Sequence, residues 1–219
     1  SIEELGGGPV EFVFNTHWHG DHTGGNENLG EAGALIVGHD NVRERMSVEQ
    51  FMEAFDRRVS ASPAAALPVV TFSDAVTFHL NGEEIHAFHV PPAHTDGDSV
   101  VFFKASNVVH MGDLFFEGRY PFIDLSSGGS FLGVIAAVEK VLPLIDEETR
   151  IIPGHGNLSQ KEDLIRYRDM LVAVRERVQP MLEGGKTREE VLAAKPLSDL
   201  ADAWGEGFMN PDTFLGIVY

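Results

Sequence analysis

Apolar and polar residues alternate over Val10–Phe14, where the apolar members are β-branched or aromatic. The pattern predicts a strand, with Asn15–Asp21 as the loop at its end. Leu35–Val37 reads as a short buried strand. From His39 to Arg58 the chain is polar and charged with apolar residues at Val42, Met46, Phe51, Met52 and Phe55, which predicts one broken or two short helices. Ser60–Pro68 is rich in Ala and Pro and reads as a loop. Val76–Leu80 and Glu83–Val90 flank Asn81-Gly82, a dipeptide suited to the two positive φ angles of a type I′ turn, so the segment is a hairpin. Val100–Phe103 and Val108–Met111 predict a second strand pair around Ser106-Asn107, and Arg150–Ile152 a further short strand. Phe131–Leu142, Glu162–Leu182 and Thr187–Ala194 carry helical spacing. Antiparallel hairpins in the middle, with helices between and after the strands, predict helices packed outside sheets in an α/β (α+β) layered domain.

A length of 219 residues fits one domain over 1–219. No apolar run approaches the roughly 18 residues of a membrane span, so no membrane partner is expected. Ser1–Leu5 lacks the basic and apolar regions of a signal peptide, yet a processed exported chain would read the same, which leaves the compartment open between cytoplasm and exterior. Charge changes the picture more. Thirty-four Asp and Glu against sixteen Lys and Arg give a formal charge of −18. Nucleic-acid binding draws most of its affinity from neutralising phosphates, so a nucleic-acid partner is excluded and polyanionic substrates are disfavoured. A small-molecule substrate is the expectation. Without cysteine there is no disulfide, no thiolate ligand and no cysteine nucleophile.

The chemistry is concentrated in Thr16-His17-Trp18-His19-Gly20-Asp21-His22. Period-two spacing puts His17 and His19 on one side of an extended segment, and a turn at Gly20 brings Asp21 and His22 to an adjacent position. One loop can thereby feed two metals. Imidazole with carboxylate favours zinc, with iron or manganese as substitutes. Isolated histidines are usually solvated loop residues, but His-X-His-X-Asp-His is too specific for that reading. His94, Asp113 and His155 each follow a predicted strand within a loop containing glycine, where a rigid scaffold presents functional residues.

These segments, from about Val10 to Gly156, resemble the metallo-β-lactamase superfamily. The resemblance implies a four-layer αβ/βα sandwich with a dinuclear site along one edge of its two sheets. It assigns His17, His19 and His94 to a first metal, Asp21, His22 and His155 to a second, and Asp113 to a bridging position, with two Zn2+ ions bound. Asp113 stands where the β-lactamase subclasses use cysteine or serine, so the set is more like glyoxalase II, the acyl-homoserine lactonases and the tRNA-maturing nuclease. The family also has some fifty residues of strands ahead of the segment resembling Val10–Phe14. Their absence here predicts either an additional N-terminal segment or a partner chain, including a second copy in a homo-oligomer.

Asp21 and Asp113 are the expected catalytic carboxylates, orienting a nucleophilic water and handling its proton. Thr16, Asp96 and Asn15 are candidate partners for the ligand imidazoles. His39, His79, His86, His89 and His110 are read as structural. His39–Pro68 and Leu114–Ser130 are the expected cleft walls, with Phe51, Phe55, Phe115, Phe116, Tyr120 and Phe122 as their aromatic residues and Tyr120 as the expected substrate contact. Glyoxalase II needs an appended basic helical domain, whereas the tail after His155 is short and mostly acidic. The expected activity is hydrolysis of a small amide, lactam, lactone or ester. A mononuclear-iron persulfide dioxygenase and a non-catalytic metal-binding module are the alternatives.

Overall fold

The computed structural model describes Glu4 and residues 6–219. Apart from Glu4, the five N-terminal residues on which the signal-peptide reading rests lie outside the described residues.

In chain order the elements are β1 (Phe12–Asn15), α1 (Gly20–Thr23), α2 (Asn26–Glu31), β2 (Leu35–His39), α3 (Asp40–Met46), β3 (Gln50–Met52), β4 (Arg57–Val59), β5 (Val70–Phe72), β6 (Ala75–Leu80), β7 (Glu83–His89), β8 (Ser99–Phe103) and β9 (Val108–Phe116). They continue with α4 (Phe131–Val141), β10 (Arg150–His155), α5 (Lys161–Glu183), α6 (Arg188–Ala194), α7 (Ala201–Trp204) and α8 (Pro211–Val218). One sheet is parallel, in the order β1-β2-β5, and the second runs β10-β9-β8-β7-β6 with only β10 and β9 parallel. The expected hairpin is there, with Asn81 at φ +55° and Gly82 at φ +73°, and it shares its sheet with β8 and β9.

Alternation along the strands sorts the layers. Ile36 and Gly38 face the helices α2 and α3, as their contacts with Gly30 and Val42 show. Phe12 and Phe14 face the other way and meet Phe78 of β6 edge-on, with ring centroids at 5.5 and 6.4 Å. On the outer side of the second sheet, α4 buries Val134, Ile135, Val138 and Val141, and α5 buries Leu164, Tyr167, Leu171, Val174 and Val178. These are i, i+3, i+4 stripes that must turn to the core, and the Tyr167 ring lies 5.1 Å from that of Phe115. Helix, sheet, sheet and helix thus form the sandwich that the sequence resemblance implies.

Several local expectations give way. The stretch 39–58 is not two helices. Only α3 is α-helical, and β3 and β4 form a two-stranded hairpin joined by a single 3-10 turn, Glu53–Phe55. Asp56 turns the chain at φ +46°, and strand pairing overrides the helical spacing of Val48, Phe51, Met52 and Phe55. The strand β5 was not expected, since its Val70 is exposed and three residues carry too little pattern to read. Two strands also run further than expected: Asp113 lies inside β9 and His155 is the last residue of β10, not in loops beyond them.

Candidate metal centre

All seven residues singled out by the sequence meet where β1 passes into α1, within β9, at the end of β10 and in the loop before β8. Three overlapping groups have ligand atoms within 4.8 Å of one another: His17 with His19 and His94, His17 with His22 and Asp113, and Asp21 with His22 and His155.

The first group is buried and each ring is held from behind. His94 donates its Nδ1–H to the Phe122 carbonyl at 2.8 Å, which leaves Nε2 facing inward. His19 donates Nε2–H to Asp124 at 3.0 Å, so its Nδ1 faces inward, 2.9 Å from His94 Nε2. His17 Nδ1 bonds Thr16 Oγ1 at 3.1 Å. Fixing one ring nitrogen selects the tautomer and aims the other. Burial holds His17 well below its usual pKa and takes His94 down to about 4. Both are therefore neutral near pH 7, the state in which imidazole binds metal.

Asp113 joins the two halves. Its carboxylate is 4.0 Å from His17 Nε2 and 3.5 Å from His94 Nε2 on one side, and 3.0 Å from His22 and 3.4 Å from His155 on the other. Burial alone would raise its carboxyl, but the nearby imidazoles outweigh burial and hold it well below the usual range. Two glycines make its position possible. A Cβ on Gly154 would lie 2.0 Å from Asp113 Oδ1, and a Cβ on Gly112, at φ +52°, would lie 2.8 Å from Thr16 Oγ1.

The second group is more open. The side chain of Asp21 is 58% exposed and that of His155 is 40% exposed, with Asp21 Oδ2 at 3.3 Å from both His22 and His155. Burial opposes protonation of His22, but Asp113 and Asp21 push it up to about 10. A proton and a metal ion compete for such a nitrogen.

These residues fit a pair of metal ions. His17 Nε2 is buried without a hydrogen-bond partner, and the buried His22 Nε2 and Asp113 Oδ1 have no partner outside the cluster itself. Such atoms are costly to bury unless a cation or another partner satisfies them.

Of the expected supporting residues, Thr16 touches an imidazole. Asp96 instead takes a two-pronged ion pair from Arg45, at 2.6 Å on each oxygen, and Asn15 pairs with the Asn26 amide. Asp124 was missed. It is 1% exposed and accepts from His19, from the Ser126 hydroxyl and from Ser127, whose Oγ in turn accepts from the Trp18 indole at 3.0 Å. Burial would raise its carboxyl, but these donors together bring it down to about 2. The only sequence signal was an Asp followed by two serines, Asp124-Leu125-Ser126-Ser127, which reads as a turn.

A cavity of about 640 Å³ opens beside the centre, reaching from His19, Asp21, Asp113 and His155 to the β3–β4 hairpin. Phe55, Phe116, Tyr120 and Phe122 line it as expected, and Phe208 and Met209 from the tail were not foreseen. Phe51 and Phe115 do not line it. Phe51 lies under Arg58 at the surface and Phe115 is in the core. Tyr120 is 1% exposed and stacks on Phe214 with its hydroxyl unpartnered, and burial pushes that hydroxyl up to about 12. Of the other histidines, His39 caps α3 and stacks on His89 at 3.8 Å, His86 bonds Thr77, and His110 accepts from the Gly112 amide.

The fold and this cluster define a class. The chain belongs to the metallo-β-lactamase superfamily, whose sequence profile, described as the Metallo-beta-lactamase superfamily, matches residues 1–165. Among curated relatives, the hydroxyacylglutathione hydrolase of Nitrosococcus oceani is 29% identical over 145 residues, covering 65% of this chain and 47% of the relative. The chain spans about half the length of the two hydroxyacylglutathione hydrolases it matches. Among solved structures, the metallo-beta-lactamase from Pontibacter korlensis shares the fold with a TM-score of 0.62 at 19% identity, over 78% of this chain and 73% of its own. TTHA1623, solved in a di-iron-bound form, gives a TM-score of 0.59 at 25% identity, over 75% of this chain and 79% of its own.

Proposed function

We propose that this chain is a dinuclear metal-dependent hydrolase, with zinc as the metal, that opens a carbonyl-centred bond in a small lactam, lactone, ester or amide. The observation that carries the reading is the Asp113 carboxylate, which is buried and lies within 4.0 Å of imidazole nitrogens from both groups. His17, His19 and His94 would hold one ion, Asp21, His22 and His155 the other, and Asp113 would serve both. Ions bound there supply Lewis acidity toward a carbonyl oxygen and bring the pKa of water down to about 7.

The chain's own residues do the rest. Asp21 faces the cavity and is held ionised by its hydrogen bond to His22, so its free carboxylate edge can accept the proton of an attacking water and pass it to the leaving group. Asp113 orients that water from the buried side. Met52, Phe55 and Phe122 present an apolar wall that excludes bulk water from the carbonyl. A small cleft beside an acidic surface favours small molecules over nucleic acid as substrate, and a homo-oligomer remains part of the proposal.

Zinc is favoured by the three imidazole nitrogens of the first group. Iron is the second reading, because TTHA1623 was solved with two irons. Elemental analysis of the purified protein, with hydrolysis of a chromogenic β-lactam and of an aliphatic lactone before and after chelation, tests both. The expected result is roughly two zinc per chain, consistent with a two-metal site, and turnover that chelation abolishes. One iron per chain with no hydrolysis of either substrate would overturn the reading in favour of an oxygenase.

A further inference from the structure

The cavity beside the centre has a second chemistry in its rim. Arg57 of β4 and Arg119 both line it. Among the described residues neither has a carboxylate within 4.0 Å, while Arg45, Arg58, Arg166, Arg168 and Arg177 all do. Arg43, Arg150, Arg175 and Arg188 also stand without a carboxylate, but Arg57 and Arg119 are the two that line this cavity. In a chain with thirty-four acidic residues and sixteen basic ones, its rim thus carries two guanidinium groups free to meet an anion. Arg119 is also placed. Its Nε donates to the Glu117 carbonyl at 3.2 Å, and its stem packs on Gly207, where a Cβ would come within 2.8 Å.

The same cavity is lined by aromatic rings that solvent should disfavour. Phe208 is 70% exposed and Phe55 is 41% exposed. They touch each other at 5.6 Å between centroids, and each touches Phe122, at 6.5 and 5.1 Å. Phe208 lies beyond residues 1–165 that match the superfamily, so the tail supplies that part of the rim. Exposed aromatic surface joined to a concave site marks a contact surface for an apolar ligand.

We propose that the cavity selects amphipathic monoanions: substrates with an aromatic or aliphatic body against Phe55, Phe122 and Phe208 and a single carboxylate at Arg119, assisted by Arg57. This assignment rests on the hydrolase reading for its orientation, with the reacting carbonyl at the cluster end of the cavity. Two arginines match one carboxylate and fall short of a polyanion, in keeping with the acidic surface.

The test is calorimetric binding of three probes to the zinc-loaded protein: 4-phenylbutyrate, its uncharged amide, and acetate. Phenylbutyrate should bind about tenfold tighter than either probe lacking one of the two features. Arg119→Met should weaken phenylbutyrate by about tenfold and Arg57→Met by less, with the amide unaffected by either. Phe208→Ala should weaken phenylbutyrate and the amide alike. Metal content should stay unchanged in all three variants. If acetate binds as tightly as phenylbutyrate, or if both arginine variants bind phenylbutyrate like the parent, the carboxylate is held elsewhere and the proposal fails. Selective, arginine-dependent binding without hydrolysis of any ester would sink the hydrolase reading and leave this recognition standing. Hydrolysis of charged and neutral esters with equal KM, unchanged in both arginine variants, would do the reverse.

Discussion

The two halves of the centre are built differently. In the half formed by His17, His19 and His94, every ring is buried and has a partner on its outward nitrogen: a threonine hydroxyl, a carboxylate and a backbone carbonyl. In the half formed by Asp21, His22 and His155, the side chains are partly open, and the hydrogen-bond and ion-pair partners of the imidazoles are the carboxylates of the cluster itself. His155 rests on the Phe116 ring at 5.1 Å, a contact that restrains tilt but fixes no tautomer. Burial with a tied rear nitrogen prepays the ordering of a ligand, and openness lets water and substrate reach the other side. The first half is therefore built for retention and the second for exchange and chemistry.

The largest effect should come from removing what the halves share. Asp113→Ala takes one carboxylate from both, so metal content should fall from roughly two equivalents to less than one, with turnover lost. Unchanged stoichiometry by elemental analysis would show that the halves are independent. Next in size, His19→Ala and His155→Ala should part company. The first should abolish the tight site, while the second should spare it and remove only the weakly held ion, as titration with a competing chelator would reveal. Equal loss from both variants would erase the distinction drawn between the halves.

A smaller effect probes the rear partners. Asp124→Asn keeps the shape but weakens the acceptor for His19 Nε2–H, and such outer partners typically contribute 10–100-fold in affinity. The tight-site affinity should fall within that range, with a changed visible spectrum in the cobalt-substituted protein. The open site should keep its affinity. A fall at the open site alone would place Asp124 outside the support of His19.

Much of this contrast was legible before any fold was known. His-X-His-X-Asp-His fixes seven chemical identities when joined with His94, Asp113 and His155, because metal ligands must be particular residue types in a particular order. The hairpin around Asn81-Gly82 was equally plain, since few dipeptides accept two positive φ angles. What sequence could not supply is whatever depends on approach through space. Asp124 lies 105 residues from His19, and nothing local separates a carboxylate that aims an imidazole from one that caps a turn. Asp96 was misjudged for the same reason, its partner Arg45 being 51 residues away. The β3–β4 hairpin escaped because two three-residue strands carry too few positions to set a period. Phe208 and Met209 reach the cavity from a tail that the sequence marked only as short and mostly acidic.

The smallest effect concerns what braces the buried half from farther back. The loop that carries His94 is tied at Asp96 by Arg45 and at Asp98 by His89, whose Nδ1–H donates to the Asp98 carbonyl at 2.9 Å. His89 also stacks on His39 at 3.8 Å with the rings 13° apart. Burial, then the neighbouring His39 and Lys140, lower the His89 pKa below its ordinary value. The folded state thus prefers neutral His89, while the unfolded chain takes up a proton near pH 6.5. The unfolded state binds more protons below that pH, so this contribution is constant at higher pH and is lost as pH falls through about 6.5 toward the lower folded value. His89→Gln retains a donor for the Asp98 carbonyl and does not titrate. Between pH 8 and pH 5.5 in saturating zinc, the parent should therefore lose slightly more thermal stability than the variant, by about 2 °C for a chain of this length. The open half is braced instead through Glu117, whose amide donates to the His155 carbonyl and whose carboxylate accepts from Asn157, so metal release there should follow the same pH course in parent and variant. A variant whose melting temperature falls as steeply with acid as the parent's would show that the imidazole stack takes no part in holding the buried half.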